Sequence, residues 1–149
     1  MSERTVPGML ALLETAPAPW EGKALRQAET AAERFGLTLP PEAYERLGAE
    51  RRRALRETRR LELGEGTLPA LMLAFCDSPY LNQDHWEESL AELQSLFYQF
   101  KNETREALPD AELLAAMARI FQERGGSLTA LAMAEPEELR RAAREARHG

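Results

Sequence analysis

The sequence predicts an all-α protein, and three observations carry that prediction. Valine and isoleucine occur once each, at Val6 and Ile120, while alanine, leucine, glutamate and arginine dominate. Strands draw on β-branched residues and helices on the other four. Apart from the brief Leu61-Glu62-Leu63, no useful stretch alternates apolar and polar with period two, whereas several repeat apolar residues at spacings of three and four. At 149 residues the chain is long enough to bury a core of its own. The expected architecture is an irregular bundle of about five or six helices packed around a buried central helix, Leu68–Cys76.

Residues 1–19 read as an N-terminal arm, in which Met9, Leu10, Leu12 and Leu13 either dock or leave the segment partly disordered, and Ala16-Pro17-Ala18-Pro19 stops any helix. A single helical domain is expected over 20–149, starting at Trp20. Glu21 to Phe35 carries Leu25, Ala28, Ala32 and Phe35 on one stripe, with Gly36 placed for a left-handed cap. Pro40-Pro41 opens a second helix reaching about Arg60, where proline at the start costs no hydrogen bond. Its apolar positions are sparse: Tyr44, Leu47, Ala54 and Leu55.

Gly64-Glu65-Gly66 breaks the chain, and Thr67 is placed to cap the all-apolar third helix, which a bundle has to enclose. Asp84, with Glu87 three residues on, has the pattern of a capping box for a fourth helix ending near Glu106. There Trp86, Leu90, Leu93, Phe97 and Phe100 step by 4, 3, 4 and 3, the seam of a bundle core helix. Pro109-Asp110 starts a fifth helix with Leu113, Leu114, Met117, Ile120 and Phe121 inward, ended by Gly125-Gly126. Ser127 caps a short turn. A last helix, Glu137–Arg147, offers Leu139 and alanines, and is expected to pack weakly.

Charge is unevenly placed. The net charge is -6, which argues against bulk attraction to nucleic acid or anionic lipid. Between Pro41 and Gly66 seven arginines face six glutamates, a net of +1. From Asp84 to Glu112 eight acids face Lys101 and Arg105, a net of -6. The single cysteine excludes an internal disulfide and fits a reducing compartment. With no signal-peptide pattern and an apolar run far below the roughly 20 residues of a membrane span, a soluble cytoplasmic protein is expected.

Chemistry has few candidates. Cys76, Asp77, Asp84, His85 and Glu88 are a cluster of ligand-like composition, but they lack the paired Cys or His spacing of a zinc site. Cys76 would need His85 as its base, and it closes an apolar run, where burial raises a thiol pKa. There is no GxSxG, GxGxxG or P-loop pattern. No catalytic, cofactor-binding or metal residue is therefore assigned, and no cofactor is expected. A possible interaction surface is assigned instead to Arg52, Arg53, Arg56, Arg59 and Arg60 on the second helix, and to Glu88, Glu92 and Tyr98 on the fourth. Residues 51–53 splay around the helix, so they do not all line one groove.

Several strings resemble motifs of a family of small bacterial proteins known only as a domain of unknown function. They are Leu61-Glu62-Leu63-Gly64, Leu68-Pro69, Phe75-Cys76-Asp77-Ser78-Pro79-Tyr80, Leu96-Phe97-Tyr98 and Phe100-Lys101-Asn102-Glu103. Upstream, Phe35-Gly36-Leu37-Thr38-Leu39 with Pro41-Glu42 fits too, which extends the resemblance over about residues 20–131. It implies one bounded bacterial domain and carries no activity to transfer. The leading functional expectation is a non-enzymatic helical protein acting through protein–protein contacts, as an adaptor or a self-associating subunit. The alternatives are a nucleic-acid-associated regulator using the arginine-rich helix, and an enzyme or metal protein centred on Cys76 and His85.

Overall fold

Every regular element is helical among the described residues, 22–64 and 66–148, of the computed structural model. Seven α-helices follow one another: α1 (Lys23–Glu33), α2 (Pro41–Thr58), α3 (Leu68–Phe75), α4 (Trp86–Glu103), α5 (Asp110–Glu123), α6 (Leu128–Ala132) and α7 (Pro136–His148). A single 3-10 turn, Gln83–His85, leads into α4. The irregular helical bundle is as expected, and the short turn anticipated after Ser127 is itself a helix, α6. The expectations for the 1–19 arm, for Trp20 and for Glu65 lie outside the described residues.

The bonds between α2 and α4 fix the topology. Thr38 and Gln83 exchange a reciprocal pair, the Thr38 N–H donating at 2.7 Å and the Gln83 amide donating back at 3.0 Å. Arg46 grips Glu87 with two donors, at 2.7 and 2.9 Å. Gln94 donates to the Leu47 carbonyl at 3.1 Å, Asn102 donates to the Thr58 carbonyl at 2.8 Å, and Arg60 reaches Glu106. The partners are always separated by 41 to 47 residues. A constant offset means that α2 and α4 run side by side in the same direction. Parallel neighbours need a long return path, which the Arg59–His85 stretch supplies with α3 in its middle.

Helix α3 is the element that the sequence reading put at the centre of the bundle. It packs on α1, α4 and α5, and buries Leu68, Pro69, Leu71, Met72 and Phe75. It is not enclosed on every side, however. Ala70 is exposed and Leu73 is 48% exposed, so one apolar face of this short helix meets solvent. The seam of α4 is as its spacing predicts: Trp86, Leu90, Leu93, Phe97 and Phe100 are all buried. Each such side chain contributes roughly 1.5–3 kcal/mol by leaving water.

Other local expectations are corrected. Phe35 lies beyond the end of α1 and is exposed; Leu37, whose N–H bonds back to the Ala32 carbonyl, is buried in its place. Asp84 does not cap α4. The side chain of Asn82 accepts from the His85 N–H instead, because the chain enters through a 3-10 turn, and Glu87 is taken by Arg46. Thr67 precedes α3 without a side-chain cap bond, while Ser127 caps α6 by accepting from the Ala130 N–H at 3.0 Å. The last helix does not pack weakly: α5 and α7 form the most extensive helix pair, with Ala116 buried on one and Leu139, Ala142 and Ala143 on the other. Alanines let helix axes approach closely, so a side-chain-poor face makes a tight contact.

Gly126 ends the α5 corner with φ +79°, and a Cβ there would fall inside the Tyr80 ring, which also stacks edge-on against Phe121. Gly126→Ala should therefore lower stability by about 2 kcal/mol in urea unfolding, from the left-handed backbone and the clash together. In a Tyr80→Gly background, which removes both the ring and the Cβ that the new methyl would meet, the same change should cost only the backbone share.

Candidate interaction surface

The second helix is where the sequence placed its most distinctive charges, and the fold sorts its arginines into three kinds. Arg51 is 7% exposed. Its guanidinium donates from Nε to Glu62 at 2.9 Å and from Nη2 to the Gly64 carbonyl at 3.3 Å. The hydroxyl of Tyr98, itself buried, donates to the same Glu62 oxygen. Gly66 crosses over this cluster with φ +74°, and a Cβ there would lie 2.6 Å from the Arg51 Nε. The sequence reading assigned Arg51 no role of its own; the spacing that could have flagged it is Leu47, Arg51, Ala54, one buried stripe at steps of four and three.

A second set of arginines is committed to ion pairs on the surface. Arg53 is held by Glu50 and by Glu57, one turn away on either side. Arg60 donates to Asn102 at 2.8 Å and to Glu106, tying the end of α2 to α4. That hydrogen bond, with the adjacent positive charge, holds the Glu106 carboxyl below its usual range. The third set is Arg52, Arg56 and Arg59. All are exposed, and their side chains make no hydrogen bond or ion pair among the described residues. Their spacing of four and three places them on one stripe of α2, ending at Arg59, which adopts φ 57° as the C-terminal cap.

The acidic candidates divide likewise. Glu88 is exposed and meets the His85 ring at 3.2 Å, and Glu92 is exposed and unpartnered among the described residues. Tyr98 is not an exposed anchor. It is 1% exposed, because α4 turns that face toward the chain returning from α2. Tyr98 and Arg60 therefore belong to the scaffold, whereas Arg52, Arg56, Arg59, Glu88 and Glu92 are accessible.

The same returning segment carries an apolar feature that composition does not reveal. From Arg60 to Leu63 side chains alternate inward and outward: Arg60 and Glu62 bond to the body, while Leu61 and Leu63 are 99% and 96% exposed. Successive side chains point to opposite faces in this way where the backbone is extended.

Around Cys76 the expected cluster does not assemble. Cys76 is buried and its thiol lies 3.9 Å from the Leu73 carbonyl, with burial first and the Asp77 charge second pushing its pKa up. It makes no bond to His85, which pairs with Glu88 at the surface. Among the described residues no group of three or more His, Cys, Asp or Glu is placed to hold a metal ion. A cleft of about 280 Å³ runs between Asp77, Ser78, Arg119 and Gln122, where the Ser78 Oγ accepts from the Tyr80 N–H at 3.2 Å. No helix of the described residues is long and apolar enough to cross a membrane.

Glu62→Ala should cost about 3 kcal/mol by stranding the buried Arg51, and Tyr98→Phe about 1 kcal/mol. Their double variant should lose less than the sum in denaturant titrations, since both act through one carboxylate. Burial, followed by the hydrogen bond to Glu62 and its charge, raises the Tyr98 phenol pKa in the folded state. Between the unfolded and folded values only the folded chain keeps this proton, so its contribution is full below about pH 10 and falls as pH rises further. Stability measured from pH 8 to 11 should decline less steeply in Tyr98→Phe.

Neither a curated protein nor a solved structure matches the chain. A family model described as a family of unknown function does, over residues 24–149. The match begins a few residues inside the resemblance read from the motifs and runs on through α7. The match covers α2 to α7 and all but the first residue of α1, and the chain belongs to this family of unknown function, DUF6323.

Proposed function

We propose that the protein is a non-enzymatic, cytoplasmic helical module that acts through protein–protein contact, as an adaptor or a self-associating subunit. The observation that carries this reading is the stripe Arg52, Arg56 and Arg59. The fold neutralises Arg46, Arg51, Arg53 and Arg60 with carboxylates of its own and leaves these three without partners among the described residues. Three cations one turn apart match carboxylates at similar spacing on another protein, and complementary charge mainly sets the rate and selectivity of encounter. Glu88 and Glu92 on α4 offer an acidic counterpart, which a second copy can meet head to tail.

The test is a triple reversal, Arg52→Glu, Arg56→Glu and Arg59→Glu, compared with wild type in capture from nuclease-treated source lysate and in sedimentation velocity. These side chains are exposed, so the variant should fold and melt like the parent. The expected result is loss of a stoichiometric protein partner, or of self-association, by tenfold or more in affinity. Capture that is unaffected contradicts the reading. Capture that disappears with nuclease, with affinity falling steeply between low and moderate salt, assigns the stripe to nucleic acid instead.

A further inference from the structure

The geometry points to a second component of this surface: Leu61-Glu62-Leu63 is an open strand edge that accepts an extended, acidic segment of another protein with apolar residues at alternate positions. The inference rests on the protein-contact reading above and names the partner's chemistry.

Two leucines in this stretch are 99% and 96% exposed, a degree that scattered surface leucines seldom reach together. They point the same way because Glu62 between them is drawn inward to Arg51 and Tyr98. The backbone N–H and C=O groups of Leu61, Glu62 and Leu63 make no hydrogen bond among the described residues. An extended stretch with unpaired amides and carbonyls is a template for strand addition, in which main-chain bonds give affinity and alternate side chains give specificity. Proteins usually protect such an edge; here it is held open by a buried ion pair on its inner side.

Charge and area select the occupant. The edge begins immediately after Arg59, the last member of the unpaired arginine stripe, so a segment lying along Leu61 and Leu63 meets positive charge at one end. Acidic residues flanking its apolar positions answer that charge. The two leucines amount to a few hundred Å², well below the roughly 1,200 Å² of a stable interface, which suits a short peptide better than a second copy. The chain's own Met9–Leu13 stretch is apolar with one adjoining acid, Glu14, to set against three arginines.

The probe is an end-blocked nine-residue peptide alternating leucine and glutamate, titrated into the ¹⁵N-labelled full chain. Shifts should centre on Leu61 to Leu63, with a dissociation constant near or below about 1 mM. Affinity should fall at least tenfold when lysine replaces glutamate, when alternate peptide amides are N-methylated, and in Leu61→Asn/Leu63→Asn, whose exposed positions leave the melting temperature unchanged. Equal affinity for the wild-type and leucine-substituted chains overturns the proposal, as does the absence of shifts at these residues. A dimer dissolved by the leucine substitutions, or tighter binding there of a peptide of residues 7–15, also overturns it, by assigning the edge to a second copy or to the chain's own arm. If the arginine reversal abolishes partner capture and the leucine substitutions do not, the strand edge fails and the arginine surface stands; if neither matters, both fail.

Discussion

The ion pair between Arg51 and Glu62, closed by the Tyr98 hydroxyl, is the interaction on which much of the remaining architecture depends. It joins three parts of the chain at one point: the buried stripe of α2, the return segment after it, and α4. A buried guanidinium whose carboxylate is removed costs several kcal/mol, so the cluster forms complete or not at all. Its geometry constrains the neighbours. Gly66 has to be glycine both for its left-handed backbone and because Arg51 occupies the space of a side chain. Arg60 and Asn102, bonded at 2.8 Å, and the Asn102 bond to the Thr58 carbonyl close the end of α2 beside it.

Parallel packing of α2 and α4 follows from the same arrangement. Two parallel helices cannot be joined by a tight turn, so the chain has to travel back along them, and α3 is that return. This explains why the most apolar helix is short, and why it leaves Leu73 half exposed: it packs against α1, α4 and α5. The α5 to α7 region is a separate solution to the same burial problem, in which alanine faces close against each other. Arg147 bonds to Glu112 at 3.1 Å and Arg119 pairs with Glu145 at 3.3 Å, which aligns α7 antiparallel to α5.

Helix existence and the α4 seam were legible in the sequence because periodic burial is a local property. The heptad steps from Trp86 to Phe100 needed no knowledge of partners. The roles of individual charges were not legible, because they depend on which chain segment comes to lie opposite. Arg51, Arg52 and Arg53 are adjacent and chemically identical, yet one is buried on Glu62, one has no partner among the described residues and one is paired within its own helix. Tyr98 and Arg60, read as surface residues, are scaffold for the same reason. The period-two string Leu61-Glu62-Leu63 was visible in an otherwise helical sequence. Its significance was not, since only the fold shows Glu62 facing in and both leucines facing out. Alanine-rich α7 was underrated because side-chain size was taken as a measure of packing.

The central claim is that a buried ion pair holds an exposed, unpaired strand edge in a fixed conformation. The most direct test is backbone ¹⁵N relaxation of Leu61 and Leu63 alongside their amide exchange rates. The account predicts order parameters in the rigid range, about 0.85, together with fast exchange, because these amides are fixed in space but bonded to water. Order parameters below about 0.6 would contradict it, showing a loose loop whose leucines are exposed by motion and not by design of the fold.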